Sequence, residues 1–194
     1  MTRIHYLNGL AVLGAIAAVQ APQAMAQSVD AGVEATTDEV RRGLSWSDGE
    51  ISASADASVG FAGLDASVRM AALRKSDRHA NADVVGDVAI GKDWEAGAIT
   101  LRTEAIGHFF GGADIGADYG EVGLGARYSI GPLQVRADAF YAPKQDAIGG
   151  DNLYLRGSAN FGVPALPISL SASLGYTTGD TKDARSARLR PAGD

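Results

Sequence analysis

Over most of its length the chain alternates apolar residues with polar or small ones at a period of two. Between 51 and 61, Ile51, Ala53, Ala55, Ala57, Val59 and Phe61 fall on one parity, and Ser52, Ser54, Asp56, Ser58 and Gly60 on the other. Successive side chains of a strand point to opposite faces, so such a segment has one wholly apolar face. On a helix the same serines would be scattered round the cylinder. The alternation recurs at 29–35, 64–70, 82–90, 99–105, 122–128, 133–141, 153–161 and 168–176, which gives nine candidate strands. In the segment 82–90, Ala82, Val84, Val88 and Ile90 are grouped on the apolar face. The 25 glycines argue against long helices, whose interiors they weaken. The expected fold is therefore all-β and antiparallel.

Period-two patterning also describes water-soluble sandwiches and barrels. Two features point to a membrane. Connections alternate between short (61–63, 92–97, 131–132, 162–167) and longer polar ones (38–49, 74–80, 111–118, 143–151). Short turns at one end and longer loops at the other are the topology of outer-membrane barrels. Aromatic residues also collect at the strand ends. Phe61, Trp94, Tyr128 and Phe161 lie by the short turns, and Trp46, Phe109, Tyr119, Tyr141, Tyr154 and Tyr176 by the long loops. Two such groups are expected to form interfacial belts, where amphipathic rings sit at headgroup level.

The N-terminus supplies the export signal such a protein needs. Arg3 and His5 precede an apolar run from Leu7 to Val19, and Ala24-Met25-Ala26 precedes Gln27. A basic start, an apolar stretch short of the roughly 20 residues that span a bilayer, and small residues at −3 and −1 predict a signal peptide over 1–26, cleaved after Ala26. The expected barrel domain is 27–180, followed by a loop-like segment at 181–194.

Composition excludes several function classes. The net charge of −6, with no basic stripe, argues against nucleic-acid binding. With no cysteine there are no thiolate metal sites, thiol nucleophiles or disulfides. Isolated His79 and His108 have no sequence-near metal or triad partners, and His108 reads as a belt or loop residue. Asp114 and Asp118 lack the spacing of a calcium loop and read as solvated loop residues. No nucleophile elbow, phosphate loop or zinc-protease motif is present. No catalytic residue, metal site or cofactor is expected, and the chain reads as a non-enzyme.

The polar face carries the remaining chemistry. Early strands contribute chiefly acids: Asp30, Glu34, Asp56, Asp65, Asp83 and Asp87, with Arg69 as the exception. Later strands contribute Arg102, Arg127, Arg136 and Arg156, interleaved with Glu104, Glu121 and Asp138. As lining residues these would either set a transverse field that selects ions or pair internally and plug a small barrel.

Four segments carry a resemblance. Thr37-Asp38-Glu39-Val40-Arg41-Arg42-Gly43-Leu44-Ser45 followed by Trp46-Ser47-Asp48-Gly49 is the most specific. Tyr119-Gly120-Glu121-Val122, Ala139-Phe140-Tyr141-Ala142-Pro143 and Gly150-Asp151-Asn152-Leu153-Tyr154-Leu155 follow in order. Over roughly 29–180 the chain resembles the TorF-like porin family of proteobacteria. The resemblance implies an up-and-down transmembrane β-barrel in the outer membrane with no cofactor. The final residues Arg188 to Asp194 depart from it, because such barrels usually end on a strand with a terminal aromatic. Single-chain barrels use even strand numbers, so at least one closing strand, and by the resemblance about three, is expected to be missing. The expected function is passive diffusion of small hydrophilic solutes or ions, with outer-membrane lipid and those solutes as partners. Two alternatives stand beside it: a non-conducting structural barrel with partner-binding loops, and a soluble periplasmic β-protein that binds an apolar ligand.

Overall fold

Eleven strands form along the chain in a computed structural model that describes residues 27–164 and 168–179. They are β1 (Gln27–Thr36), β2 (Val40–Arg41), β3 (Leu44–Ser45), β4 (Ser52–Phe61), β5 (Leu64–Ser76), β6 (Ala82–Ala96), β7 (Ile99–Gly111), β8 (Tyr119–Ile130), β9 (Leu133–Gln145), β10 (Gly150–Gly162) and β11 (Ser169–Gly179). The signal peptide expected at 1–26 and the segment expected at 181–194 lie outside the described residues. All nine long strands join one antiparallel sheet in the order β1-β4-β5-β6-β7-β8-β9-β10-β11, while β2 and β3 form a separate two-stranded hairpin. The nine expected strands are all present. Among the described residues β1 pairs only with β4 and β11 only with β10, so the sheet they form is open and does not close into a barrel.

Local chemistry explains the turns. Ala62 and Gly63 both take positive φ (50° and 76°) and join β4 to β5 in two residues, the geometry that matches strand twist. Gly97 and Gly131 open two further two-residue turns, and Pro132 after Gly131 supplies no N–H where none is needed. At the other end the strands run further than the alternation alone suggests. β5 continues to Ser76 through a register shift between Ala72 and Ser76, with Arg74 and Lys75 at positive φ. This bulge accompanies a correction: Ala82 is fully buried in the core and does not share the exposed face of Val88 and Ile90. Single 3-10 turns at Asp77–His79 and Asp146–Ile148 complete two of the long-side loops, which are shorter than expected because the strands extend into them.

The two faces of the sheet differ sharply. One exposes large apolar side chains along its whole extent, including Val59, Val68, Ile90, Leu101, Leu124 and Leu174. The other carries the charged residues and, at the long-loop end, the apolar core: Trp46, Ala71, Leu73, Ala82, Val85 and Phe110. That second face wraps the β2–β3 hairpin. Residues 39–42 touch Arg69 on β5, Asp87 on β6, Glu121 on β8, Phe140 on β9 and Tyr154 on β10.

Candidate functional site

The hairpin is first fixed from within. Asp38 Oδ1 accepts from Ser45 Oγ at 2.7 Å, the Ser47 hydroxyl accepts from the Glu39 N–H at 2.9 Å, and the Trp46 N–H donates to the Glu39 carbonyl at 2.7 Å. This sets Trp46 into the core, tilted against His79 and Phe110 (centroids 4.1 and 5.9 Å away) and beneath the Arg41 guanidinium (4.5 Å). Trp46 was expected in an interfacial belt. It is buried (7% exposed) because the loop that carries it folds onto the inner face.

From the hairpin a chain of charges crosses the sheet. Arg69 forks onto Glu39 at 2.7 and 3.1 Å, and Glu39 also accepts from Arg41 Nε at 2.7 Å. Burial alone would raise the Glu39 carboxyl, but hydrogen bonds and charge from the two arginines hold it below the usual carboxylate range. Arg41 Nη1 donates to Asp87 at 2.7 Å. His108 Nδ1 lies 2.7 Å from the other Asp87 oxygen, and its Nε2 lies 3.3 Å from Glu121. Arg42 closes the row on Glu121, with its guanidinium 4.6 Å from the Tyr154 ring centroid and 5.3 Å from that of Phe140.

A second tier lies toward the short turns. Arg102 reaches past β6 to fork onto Asp65 at 2.7 and 2.8 Å, and also meets Asp93 at 3.0 Å and Glu104 at 3.4 Å. Asp138, its side chain 1% exposed, accepts from Arg136 Nε at 2.6 Å and from Arg156 at 2.7 and 3.0 Å. Arg127 approaches Asp93, and Arg136 approaches Glu104, each at 4.0 Å. Inward glycines make room for these groups. A Cβ at Gly123 would lie 2.9 Å from the Phe140 ring, and one at Gly125 would lie 2.6 Å from Asp138.

Of the expected lining residues, Asp65, Asp87, Arg102, Glu104, Glu121, Arg127, Arg136, Asp138 and Arg156 are brought into these two tiers. Asp56 and Asp83 are exposed and form no ion pair among the described residues. Asp65 of the early strands is joined to Arg102 of a later one, Asp87 to Arg41 of the hairpin, and Asp138 to Arg136 and Arg156 within the later strands. Among the aromatics, Phe61, Trp94, Phe109, Tyr128, Tyr141, Phe161 and Tyr176 are exposed. Tyr119 and Tyr154, with Trp46, are corrections: Tyr119 packs inward on His108 (4.4 Å) and Phe110, and Tyr154 is buried beside Phe140. Their parity matches inward Glu121 and Arg156, so proximity to a loop was the misleading cue.

His108 is likewise neither belt nor loop. It is 6% exposed on the inner face, at the parity of Arg102 and Glu104. Glu39, Arg41, Arg42 and Asp93 complete the networks and were not anticipated there. His79 sits in the 3-10 turn, where burial and then the charges of Arg78 and Arg41 push its imidazole down to about 4. Asp118 accepts from the Phe110 N–H at 2.7 Å and Asp114 from Asn81 Nδ2 at 2.6 Å, so both tie down loops. Among the described residues no group of three or more metal-ligating side chains occurs.

The sequence profile of a family described as bacterial proteins of unknown function, Gcw_chp, matches residues 20–187. The chain belongs to the Gcw_chp family. No curated protein and no solved structure matches it significantly. The two charge tiers and the inward hairpin thus lie within the matched region of this Gcw_chp protein. Its TorF-like resemblance rests on the sequence motifs alone.

Proposed function

We propose that this chain is an outer-membrane β-barrel of porin type that passes small hydrophilic solutes or ions through a narrow, charge-lined interior. One observation carries the reading: the sheet is apolar outside and ion-paired inside. Leu124, at the middle of β8, is 65% exposed, and large apolar residues flank it on strand after strand. A contiguous apolar surface of that extent is a liability in water but is what lipid-facing strands present. Exposed Phe61, Trp94, Tyr128 and Phe161 near the short turns fit one interfacial belt. The TorF-like motifs support the same reading.

A second reading, a non-conducting structural barrel, is favoured by the hairpin and paired charges that occupy the inner face. Refolding into detergent, heat-shift electrophoresis and planar-bilayer recording separate the readings. Steady current steps support the pore. A heat-resistant, membrane-inserted protein without current supports the structural barrel. A protein that stays in the soluble periplasmic fraction sinks both.

A further inference from the structure

We propose that the long-loop end holds a binding site for a small organic carboxylate with a compact apolar body, anchored by Arg42. The site is a property of the folded rim and stands whether or not the sheet conducts. A cavity of about 340 Å³ opens there between the hairpin and the neighbouring loops, within the range of small-ligand pockets. Its wall includes Arg41, Arg42, Trp46, Tyr119, Ile115 and Ile148. Guanidinium groups beside aromatic and aliphatic walls suit an anion whose other end is apolar.

Arg42 is placed there at the expense of its own backbone. It is the first residue of the two-residue β2–β3 turn, with φ 53°, and Gly43 follows at 77°. Positive φ at both positions favours Asn-Gly, and a long side chain at the first is disfavoured. The side chain of Arg42 lies over the Tyr154 and Phe140 rings, and among the described residues its only hydrogen bond runs from Nη2 to Glu121. The remaining guanidinium N–H groups leave it able to fork onto a carboxylate. Arg41, paired through Nε and Nη1 with Glu39 and Asp87, lies in the same wall, and among the described residues its buried Nη2 has no hydrogen-bond partner. Asp77 and Arg78 also line the cavity, one charge of each sign, so the anchor on which the site rests is the single guanidinium of Arg42. An aromatic monocarboxylate is therefore the matching class.

The test uses the full chain refolded in detergent, with Trp94→Phe leaving Trp46 as the sole tryptophan of the two. Trp46 fluorescence and equilibrium dialysis of radiolabelled benzoate read binding independently. Benzoate is expected to bind saturably, and benzamide (same ring, no charge) and acetate (no ring) at least about tenfold more weakly, the effect of losing one charge-assisted anchor. Arg42→Asn suits the turn and removes the guanidinium; it should leave Trp46 emission in place and weaken benzoate at least about tenfold. Ala147→Phe, at an exposed position on the cavity wall, should weaken benzoate without altering any guanidinium. Equal binding of benzoate and benzamide, no binding in either assay, or undiminished binding by both variants overturns the proposal.

Discussion

Trp46→Ala should release the hairpin and leave the sheet intact. An isolated two-stranded hairpin is marginal in water, and β2 and β3 have two residues each, so docking depends on what 38–50 touches. Trp46 is the largest apolar group in that contact, set against Phe110 and His79 and in one core cluster with Ala71, Leu73 and Val85. Truncating a buried aromatic to alanine costs about 3–5 kcal/mol. Loss of the Arg41 cation–π contact is part of the same change. The ladders between the nine long strands do not involve Trp46, so the loss falls on hairpin docking. A 3–5 kcal/mol change raises the open population roughly 150- to 5,000-fold. Trypsin cleaves after Arg41 and Arg42, and when opening is fast its rate tracks that population. Nicking there should rise at least about a hundredfold, while the heat-shift of the unnicked protein on electrophoresis is retained. Trp46→Phe should fall between wild type and alanine. A rise below about tenfold, or loss of the heat-shift together with nicking, would refute the idea that the hairpin docks through Trp46 as a separable unit.

Acidification should loosen the same rim. The neutral His79 imidazole is favoured when docked, with a pKa of about 4 against 6.5 when exposed, so its stabilisation is complete above 6.5 and is lost progressively as pH falls toward 4. The loss is about 3 kcal/mol at most, and the lowered Glu39 pKa adds to it in the same direction at still lower pH. Trp46 emission should redshift over this range, and His79→Phe should flatten the profile between pH 6.5 and 4; an unchanged slope would clear His79 of the effect. Asp138→Asn weakens the shared anchor of Arg136 and Arg156, and because both arginines are about a third exposed the loss should be about 1–3 kcal/mol, read from the urea midpoint. Gly123→Val should cost about 1–3 kcal/mol by driving into Phe140 and Glu104, with Gly123→Ala milder in the same thermal assay. Leu124→Arg should destabilise by about 2–4 kcal/mol in bilayers if β8 faces lipid, and a change within about 0.5 kcal/mol would match a water-facing site.

Away from the bulge opposite Ala82, the face each strand residue takes was legible, because period two is a property of the backbone and only a register shift breaks it. Arg102, Glu104, Glu121, Asp138 and Arg156 all lie on the inner face as their parity requires. Turn chemistry was local as well, as Ala62-Gly63 and Gly131-Pro132 show. The hairpin was not legible. Arg41, Arg42 and Trp46 lie in a connection with no sustained alternation, and their placement depends on Asp87, Glu121 and Phe110, which are 46, 79 and 64 positions away. Tyr119 and Tyr154 were misplaced by weighing nearness to a loop above parity, although parity is the stronger physical signal.

The fork from Arg102 to Asp65 skips a strand, and this bears on folding fidelity. A slip of two residues between neighbouring strands keeps every apolar side chain outside and every polar one inside, so alternation cannot forbid it. Such a slip displaces one strand by roughly 7 Å. The two planar bonds from β7 to β5, separated by all of β6, would both be lost. A Cβ at Gly91, the β6 position beneath the fork, would meet the Arg102 guanidinium, so a slip of β6 that brings a larger residue there also pushes the fork out of place. The inner charges thereby act as a proofreading element for strand assembly.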